Sequence, residues 1–410
     1  MRGHKTTQQR TASKGLPARW WAATLAALAA AALAACDTET PATPPRPCEG
    51  ADGTICTVIG NGEAGFDGDG NPLLESNLYW PIDVAVHPDG RTWVIDWNNH
   101  RVREAQGDKL QTVVGSDTLG DGPDDHSDLT PAGAVGTLVN LNHPTQLVPM
   151  DDGSLLLVAW HNHKLRKYDP LTGRVHVVVG GGAGYAGDGG AAKGAQLDQP
   201  QAVAKDGKGG LYILDQRNQV VRHIDQDGVI HTVAGTVKGD GFAGDGLKPL
   251  EAKFSFPKGS NPPPGGWVAV DAKGRVYISD TLNHRIRRVD LAAQTVETIA
   301  GTGEAGYGGD GGKGPEAKLN NPRKITFGPD GRLYIGDEKN NRIRALDVDT
   351  LTITTVAGDG KATFAGDFGP AAKASLWRPI GVSFNVKGEM LIVDTYNHRI
   401  RRVIGTIGGK

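Results

Sequence analysis

Asp280-Thr281-Leu282-Asn283-His284-Arg285-Ile286-Arg287 comes back almost unchanged as Asp394-Thr395-Tyr396-Asn397-His398-Arg399-Ile400-Arg401. Looser copies start at Asp96, Ala159, Asp215 and Asp337, so successive starts fall 56 to 65 residues apart. A period of this size is one supersecondary unit repeated, each copy too small to bury its own apolar face. Six copies therefore define an array before any chemistry is considered, and the chemistry is a separate question.

One unit can be read outward from Asp337. Thr298-Ile299-Ala300-Gly301 is a short β-branched run, followed by a Gly-rich loop over 302–320. Ile325-Thr326-Phe327 and Leu333-Tyr334-Ile335 flank Gly328-Pro329-Asp330-Gly331, where proline presets φ and glycine supplies a positive one. Arg342-Ile343-Arg344-Ala345-Leu346-Asp347 alternates polar and apolar, the period of a half-buried strand. The unit is a four-stranded antiparallel meander. Six such units arranged radially make an all-β, six-bladed β-propeller. The last repeat, from Arg378-Pro379 to Val403, lacks its own Thr-Val-Ala-Gly strand, while Thr57-Val58-Ile59-Gly60 has no blade before it. The N-terminal strand is thus expected to form the outer edge of the last blade and close the ring, with the tail 404–410 as the competing occupant.

In such a meander the Gly-rich loops and the Asp-x-x-Asn turns fall on one face of the disc. The Pro88-Asp89-Gly90, Asp151-Asp152-Gly153 and Pro329-Asp330-Gly331 turns fall on the other. Function collects on long loops held by a rigid frame, so a ligand is expected on the Gly-loop face near the channel mouth.

The repeated residues resemble the NHL repeat family. The signature appears as Asn99-His100-Arg101, Asn162-His163-Lys164, Asn283-His284-Arg285 and Asn397-His398-Arg399, with Asn218-Gln219 and Asn340-Asn341 looser. A Gly-aromatic-x-Gly-Asp-Gly loop recurs at 66–70, 185–189, 242–246, 307–311 and, degraded, 364–368. The resemblance spans 57–403 and implies a six-bladed NHL propeller. Members of that family include protein- and RNA-binding modules, and related propellers include lyases and lactonases, so no single activity is implied.

Outside the repeats, residues 1–19 are basic without an acid and 20–35 form an apolar run. That run is shorter than the roughly 20 residues a membrane span needs. The pattern reads as an export signal over 1–35. Leu33-Ala34-Ala35-Cys36 resembles a bacterial lipobox, which makes Cys36 the lipid anchor. Residues 36–56 then form a Pro-rich tether ahead of a propeller over 57–410. Export places Cys48 and Cys56 where thiols pair. Net charge is −2, and the strands spread their arginines over both faces, so nucleic acid is not an expected partner.

Three places depart from the repeat. Ala159 replaces Asp, and the loop before it reads Asp124-Asp125-His126-Ser127-Asp128. The fourth repeat carries an insertion over 258–266. Asp124, Asp125, His126 and His161 are the candidate ligands for a divalent metal such as calcium or zinc. Lys258, Asn261 and Trp160 are the candidate ligand-face residues. The Asp of each Gly-Asp-Gly is expected to cap its own turn, and the recurring Asp of the Asp-x-x-Asn turns is expected to be architecture rather than catalysis. No nucleophile elbow, phosphate loop or paired zinc motif is present. The expected function is a monomeric, lipid-anchored envelope binding module without a cofactor, recognising an envelope protein, peptide or glycan. The alternatives are a metal-dependent envelope lyase or lactonase with its site in the channel, and a purely structural envelope protein.

Overall fold

A computed structural model describes residues 47–405 apart from Pro131, Ser260 and Asn261. The expectations on 1–35 and on Cys36 lie outside the described residues. Contacts divide the chain into Met1–Arg46 and Pro47–Lys410, and the second unit holds all the blades.

Six sheets follow one another along the chain, each built on a four-stranded antiparallel meander, with the N-terminal strand supplying the fourth strand of the last. In blade 1 the strands are Pro81–Val86, Thr92–Asp96, Arg101–Gln106 and Lys109–Val114. The other inner strands are Pro144–Pro149, Pro200–Lys205, Val268–Val270, Pro322–Phe327 and Gly381–Phe384. Three Gly-rich loops add a two-residue strand to an outer edge, at Ala134–Val135, Gly190–Ala191 and Gly369–Pro370. This is the all-β, six-bladed propeller that the period predicts.

Closure follows the expected route. Thr54–Ile59 runs antiparallel to Arg399–Val403, with Ile55 opposite Val403 and Thr57 opposite Arg401. The strand begins at Thr54, ahead of the Thr57 start read from the motif, and so draws the end of the supposed tether into the sheet. Cys48 and Cys56 are disulfide-bonded beside it. The carbonyl of Cys48 accepts a hydrogen bond from Arg402 Nη2 at 2.7 Å.

The core lies between blades. The largest cluster joins blades 3, 4 and 5 through Leu214, Phe254, Phe256, Trp267, Tyr277 and Ile335. Close packing between blades explains Gly336, where a Cβ would meet the Ile380 carbonyl of the next blade at 1.9 Å.

Candidate functional site

The repeated polar residues build a frame inside each blade. Asp96 Oδ1 accepts from the Tyr79 N–H at 2.7 Å, and Oδ2 accepts from Asn99 Nδ2 at 2.8 Å. Asn99 also reaches the Gly65 carbonyl. Asp215, Asp280, Asp337 and Asp394 repeat this arrangement with Asn218, Asn283, Asn340 and Asn397. Beneath each lies a fully buried arginine, such as Arg287 at 3.2 Å from Asp280. Burial pushes Asp96, Asp280, Asp337 and Asp394 up to about 6 and Asp215 to about 7, against the hydrogen bonds and the arginine charge that pull them down.

The Gly-Asp-Gly aspartates do not cap their own turns. They reach across to the same arginines: Asp188 lies 2.5 Å from Arg222, Asp310 2.6 Å from Arg344 and Asp367 2.6 Å from Arg401. Asp69 and Asp188 also accept from the N–H of Thr112 and Thr232 on the outer strand. The loop aromatic lies over the arginine pair, Phe242 at 3.8 Å from Arg285 and 4.8 Å from Arg287. Loop, turn and third strand are therefore one electrostatic unit.

Blade 2 shows the rule by breaking it. With Ala159 in place of Asp, the buried Arg166 has no turn carboxylate. Asp128, itself buried, comes in from the aberrant loop and pairs with it. Asp121 supplies the second carboxylate at 2.6 Å. The Asn142 N–H, which would meet Asp elsewhere, donates to Asn162 Oδ1 at 3.1 Å.

The histidine of the signature joins blades. Nδ1 of His100, His163, His284 and His398 accepts from the N–H of His143, Gln199, Asn321 and Trp80 in the following blade, at 3.1–3.2 Å. Gln219 and Asn341 make the same joint through side-chain oxygens, to Phe256 at 2.8 Å and Arg378 at 2.9 Å. The two looser copies of the signature are thus equivalent in the one property the position requires, an acceptor. Burial lowers the pKa of the four joint histidines, which keeps them neutral and able to accept.

In blade 4 the joint falls on the buried Phe256; in blades 1, 2, 3, 5 and 6 it falls on the residue before the proline that leads into the inner strand, and here the repeat stops. The positions hold Trp80, His143, Gln199, Asn321 and Arg378, all at φ between 49° and 55°. The residue after the turn aspartate, or after Ala159 in blade 2, varies too: Trp97, Trp160, Gln216, Thr281, Glu338 and Thr395. A pocket of about 200 Å³ opens among Trp80, Trp97, Tyr396, Arg323, Glu338 and Arg378. Ile82, Ile380, Thr395 and the insertion's Pro263 and Pro264 complete its wall. Trp80 stacks on Tyr396 at 5.2 Å, and Arg378 donates to the Tyr396 hydroxyl at 2.9 Å. One position further along the inner strands, Lys324 Nζ meets the buried Asp83 at 2.5 Å and donates to Ser383 Oγ at 2.7 Å. Blades 1, 5 and 6 are tied across the channel by this contact. Burial raises Asp83 above the usual carboxylate range, and the lysine charge opposes that rise.

None of the described residues singled out in the sequence as site candidates lines this pocket. Trp160 is buried, its Nε1 donating to Gln216 Oε1 at 3.2 Å. It stacks on His161 at 4.0 Å. Lys258 pairs with Asp240 at 2.5 Å, and Asn261 lies outside the described residues. Asp124, Asp125 and His126 are exposed on their loop. His161 instead faces His143, with Nδ1 atoms 3.2 Å apart, and Asn142 Oδ1 lies within 3.2 Å of both. Burial first, then neighbouring imidazoles, pushes His143 down to about 3, while burial and neighbouring charge push His161 to about 4. Among the described residues no three His, Cys, Asp or Glu side chains converge to hold a metal. Sequence reading missed Arg323, Glu338, Arg378, Trp80, Trp97 and Tyr396. Their signal was blade-to-blade variation at the turn and pre-proline positions.

A propeller of repeats with this turn, joint and loop is an NHL propeller. The chain belongs to the family described as the teneurin NHL domain, whose model matches residues 55–241 and 260–364. It is 29% identical over 310 residues to Protein SUPPRESSOR OF QUENCHING 1, chloroplastic, of Arabidopsis thaliana, covering 72% of this chain and 27% of that protein. It is 27% identical over 358 residues to NHL repeat-containing protein 2 of Homo sapiens, covering 80% of this chain and 47% of that one. The chain thus spans less than half the length of either relative. Among solved structures, a structural genomics protein of unknown function from Bacteroides thetaiotaomicron superposes with a TM-score of 0.62 at 18% identity, covering 85% of this chain and 75% of that one. An auxiliary nutrient binding protein from Bacteroides ovatus gives 0.58 at 15%, covering 86% and 76%. These likenesses at low identity concern the fold.

Proposed function

We propose that this chain is a lipid-anchored binding module of the bacterial envelope that captures its ligand at the channel mouth on the Gly-loop face. The observation that carries this reading is the mouth itself. The frame residues repeat in nearly every blade and bond chiefly to one another, whereas the mouth residues differ from blade to blade and line an open pocket. Variation that gathers in a concave patch of a regular scaffold is where recognition is expected. The Cys48–Cys56 bridge supports an oxidising compartment, and Cys36 provides the anchor. A Bacteroides relative in fold is described as a nutrient binding protein, which agrees with a binding role.

The test has two arms. Membrane fractionation of cells carrying Cys36→Ala is expected to move the protein from the membrane to the soluble fraction; retention in the membrane sinks the anchor. The purified unit Pro47–Lys410 is then incubated with a low-molecular-weight envelope extract and washed, and retained compounds are measured by mass spectrometry beside a Trp80→Ala/Arg378→Ala variant. A compound kept by the parent and lost from the variant supports the reading. Equal retention by both, or conversion of the compound into a new product, overturns it.

A further inference from the structure

We infer that the channel-mouth pocket takes an organic carboxylate with a flat, mainly apolar ring, its anionic group received by Arg323 and Arg378. The inference rests on the reading of this pocket as a ligand site and names the ligand class.

Charge comes first. The charged residues lining the pocket are Arg323, Arg378 and Glu338, two cations against one anion. Glu338 lies 3.6 Å from Arg323 and 3.7 Å from Arg378, beyond hydrogen-bond range of either. The Arg323 side chain is only 7% exposed. It makes no hydrogen bond among the described residues, although a guanidinium carries five donors. A buried charge that is neither hydrogen-bonded nor closely paired is costly. Arg378 spends one donor on Tyr396 and keeps the rest. Two such forks facing one cavity match the planar geometry of a carboxylate. A cationic ligand would meet the wrong sign.

The walls then select the body. Trp80, Trp97, Ile82, Ile380, Pro263 and Pro264 offer flat or apolar surface. Trp97 Nε1 and Thr395 Oγ1 are the lining's other buried donors without a partner. A sugar acid brings a hydroxyl on nearly every carbon, more than this wall can satisfy, and each unmet one costs free energy. A volume of about 200 Å³ is below that of drug-sized sites and suits a single ring system.

The experiment is a calorimetric and tryptophan-fluorescence titration of Pro47–Lys410 with indole-3-acetate, benzoate, the two matching neutral amides, glucuronate and phenyltrimethylammonium. The aryl carboxylates are expected to bind with one-to-one stoichiometry and their amides at least about tenfold more weakly, the worth of a charge-assisted hydrogen bond. Arg323→Met is expected to abolish the preference for acid over amide, and Glu338→Gln to tighten the acids. The acid–amide comparison needs no variant, so misfolding of a mutant cannot mimic the result. Equal binding of acid and amide overturns the inference. Binding of glucuronate or the cation in preference to the aryl acids also overturns it while leaving the site in place. Silence from all six probes, with the extract still yielding a retained compound, overturns the ligand class and not the binding role.

Discussion

Asp128 carries in blade 2 the charge that a turn aspartate carries elsewhere, and a mutant cycle can expose the exchange. Asp128→Asn leaves Arg166, fully buried, without its buried partner. Breaking a buried pair outright costs about 3–5 kcal/mol. Arg166 keeps Asp121, but that carboxylate is 43% exposed and screened, so the expected loss is about 2–3 kcal/mol. Ala159→Asp restores the carboxylate at the place where Asp280 meets Arg287. In the parent it adds a second buried charge to a site already neutral and is expected to be neutral or destabilising by about 1–2 kcal/mol. In the Asp128→Asn background it is expected to recover at least about 1 kcal/mol. The assay is guanidinium denaturation of Pro47–Lys410, followed by tryptophan fluorescence and far-UV circular dichroism. The quantity read is the coupling energy between the two sites. A loss below about 0.5 kcal/mol for Asp128→Asn, or identical effects of Ala159→Asp in both backgrounds, refutes charge relocation.

The interblade joints give a second cycle. His163→Ala strands the N–H of Gln199, a buried residue, and is expected to cost about 1–3 kcal/mol in the same denaturation assay. His163→Asn keeps an acceptor and tolerates the left-handed φ of 56°, so it is expected to cost under about 1 kcal/mol. The same pair predicts a pH effect. Burial lowers the folded pKa of His163 below its ordinary 6.5, so the unfolded chain takes up a proton the folded one refuses. Its contribution is complete above pH 6.5 and is lost as pH falls from there. Denaturation curves at stepped pH should therefore show a shallower acid-side decline for His163→Asn than for the parent. Gly336→Ala drives a methyl into the Ile380 carbonyl, and a loss of about 2 kcal/mol or more is expected by thermal or chemical melting. Replacing Cys48 and Cys56 by serine removes a short cross-link, for which chain entropy predicts a loss of about 2–3 kcal/mol, read as a lowered denaturation midpoint.

The fold was legible in the sequence because its determinants are local and repeated. Asp280 and His284 return at a near-fixed interval, and a missing strand at one end matched a spare strand at the other. The pocket was not legible for the opposite reason. Arg323, Trp80 and Tyr396 belong to blades 5, 1 and 6, and only closure of the ring brings them together. The eye drawn to broken patterns found the loop of blade 2, but that loop breaks its pattern to repair another break, at Ala159. Asp310 misled in a smaller way. A residue between two glycines reads as a turn former, yet its partner Arg344 is on the third strand of the same blade, where the folded loop carries it.

The latch has a consequence for biosynthesis. Thr54–Ile59 leads the blade segments along the chain, yet its pairing strand, Arg399–Val403, follows all of them. Made from the N-terminus onward, the first edge has no pairing strand until the last blade has been synthesised. The Cys48–Cys56 loop needs no distant residue, since its two cysteines are eight positions apart, so its closure does not depend on the last blade. The latch thus joins a small covalent clasp of local origin to a large non-covalent seam whose two sides lie at opposite ends of the propeller sequence.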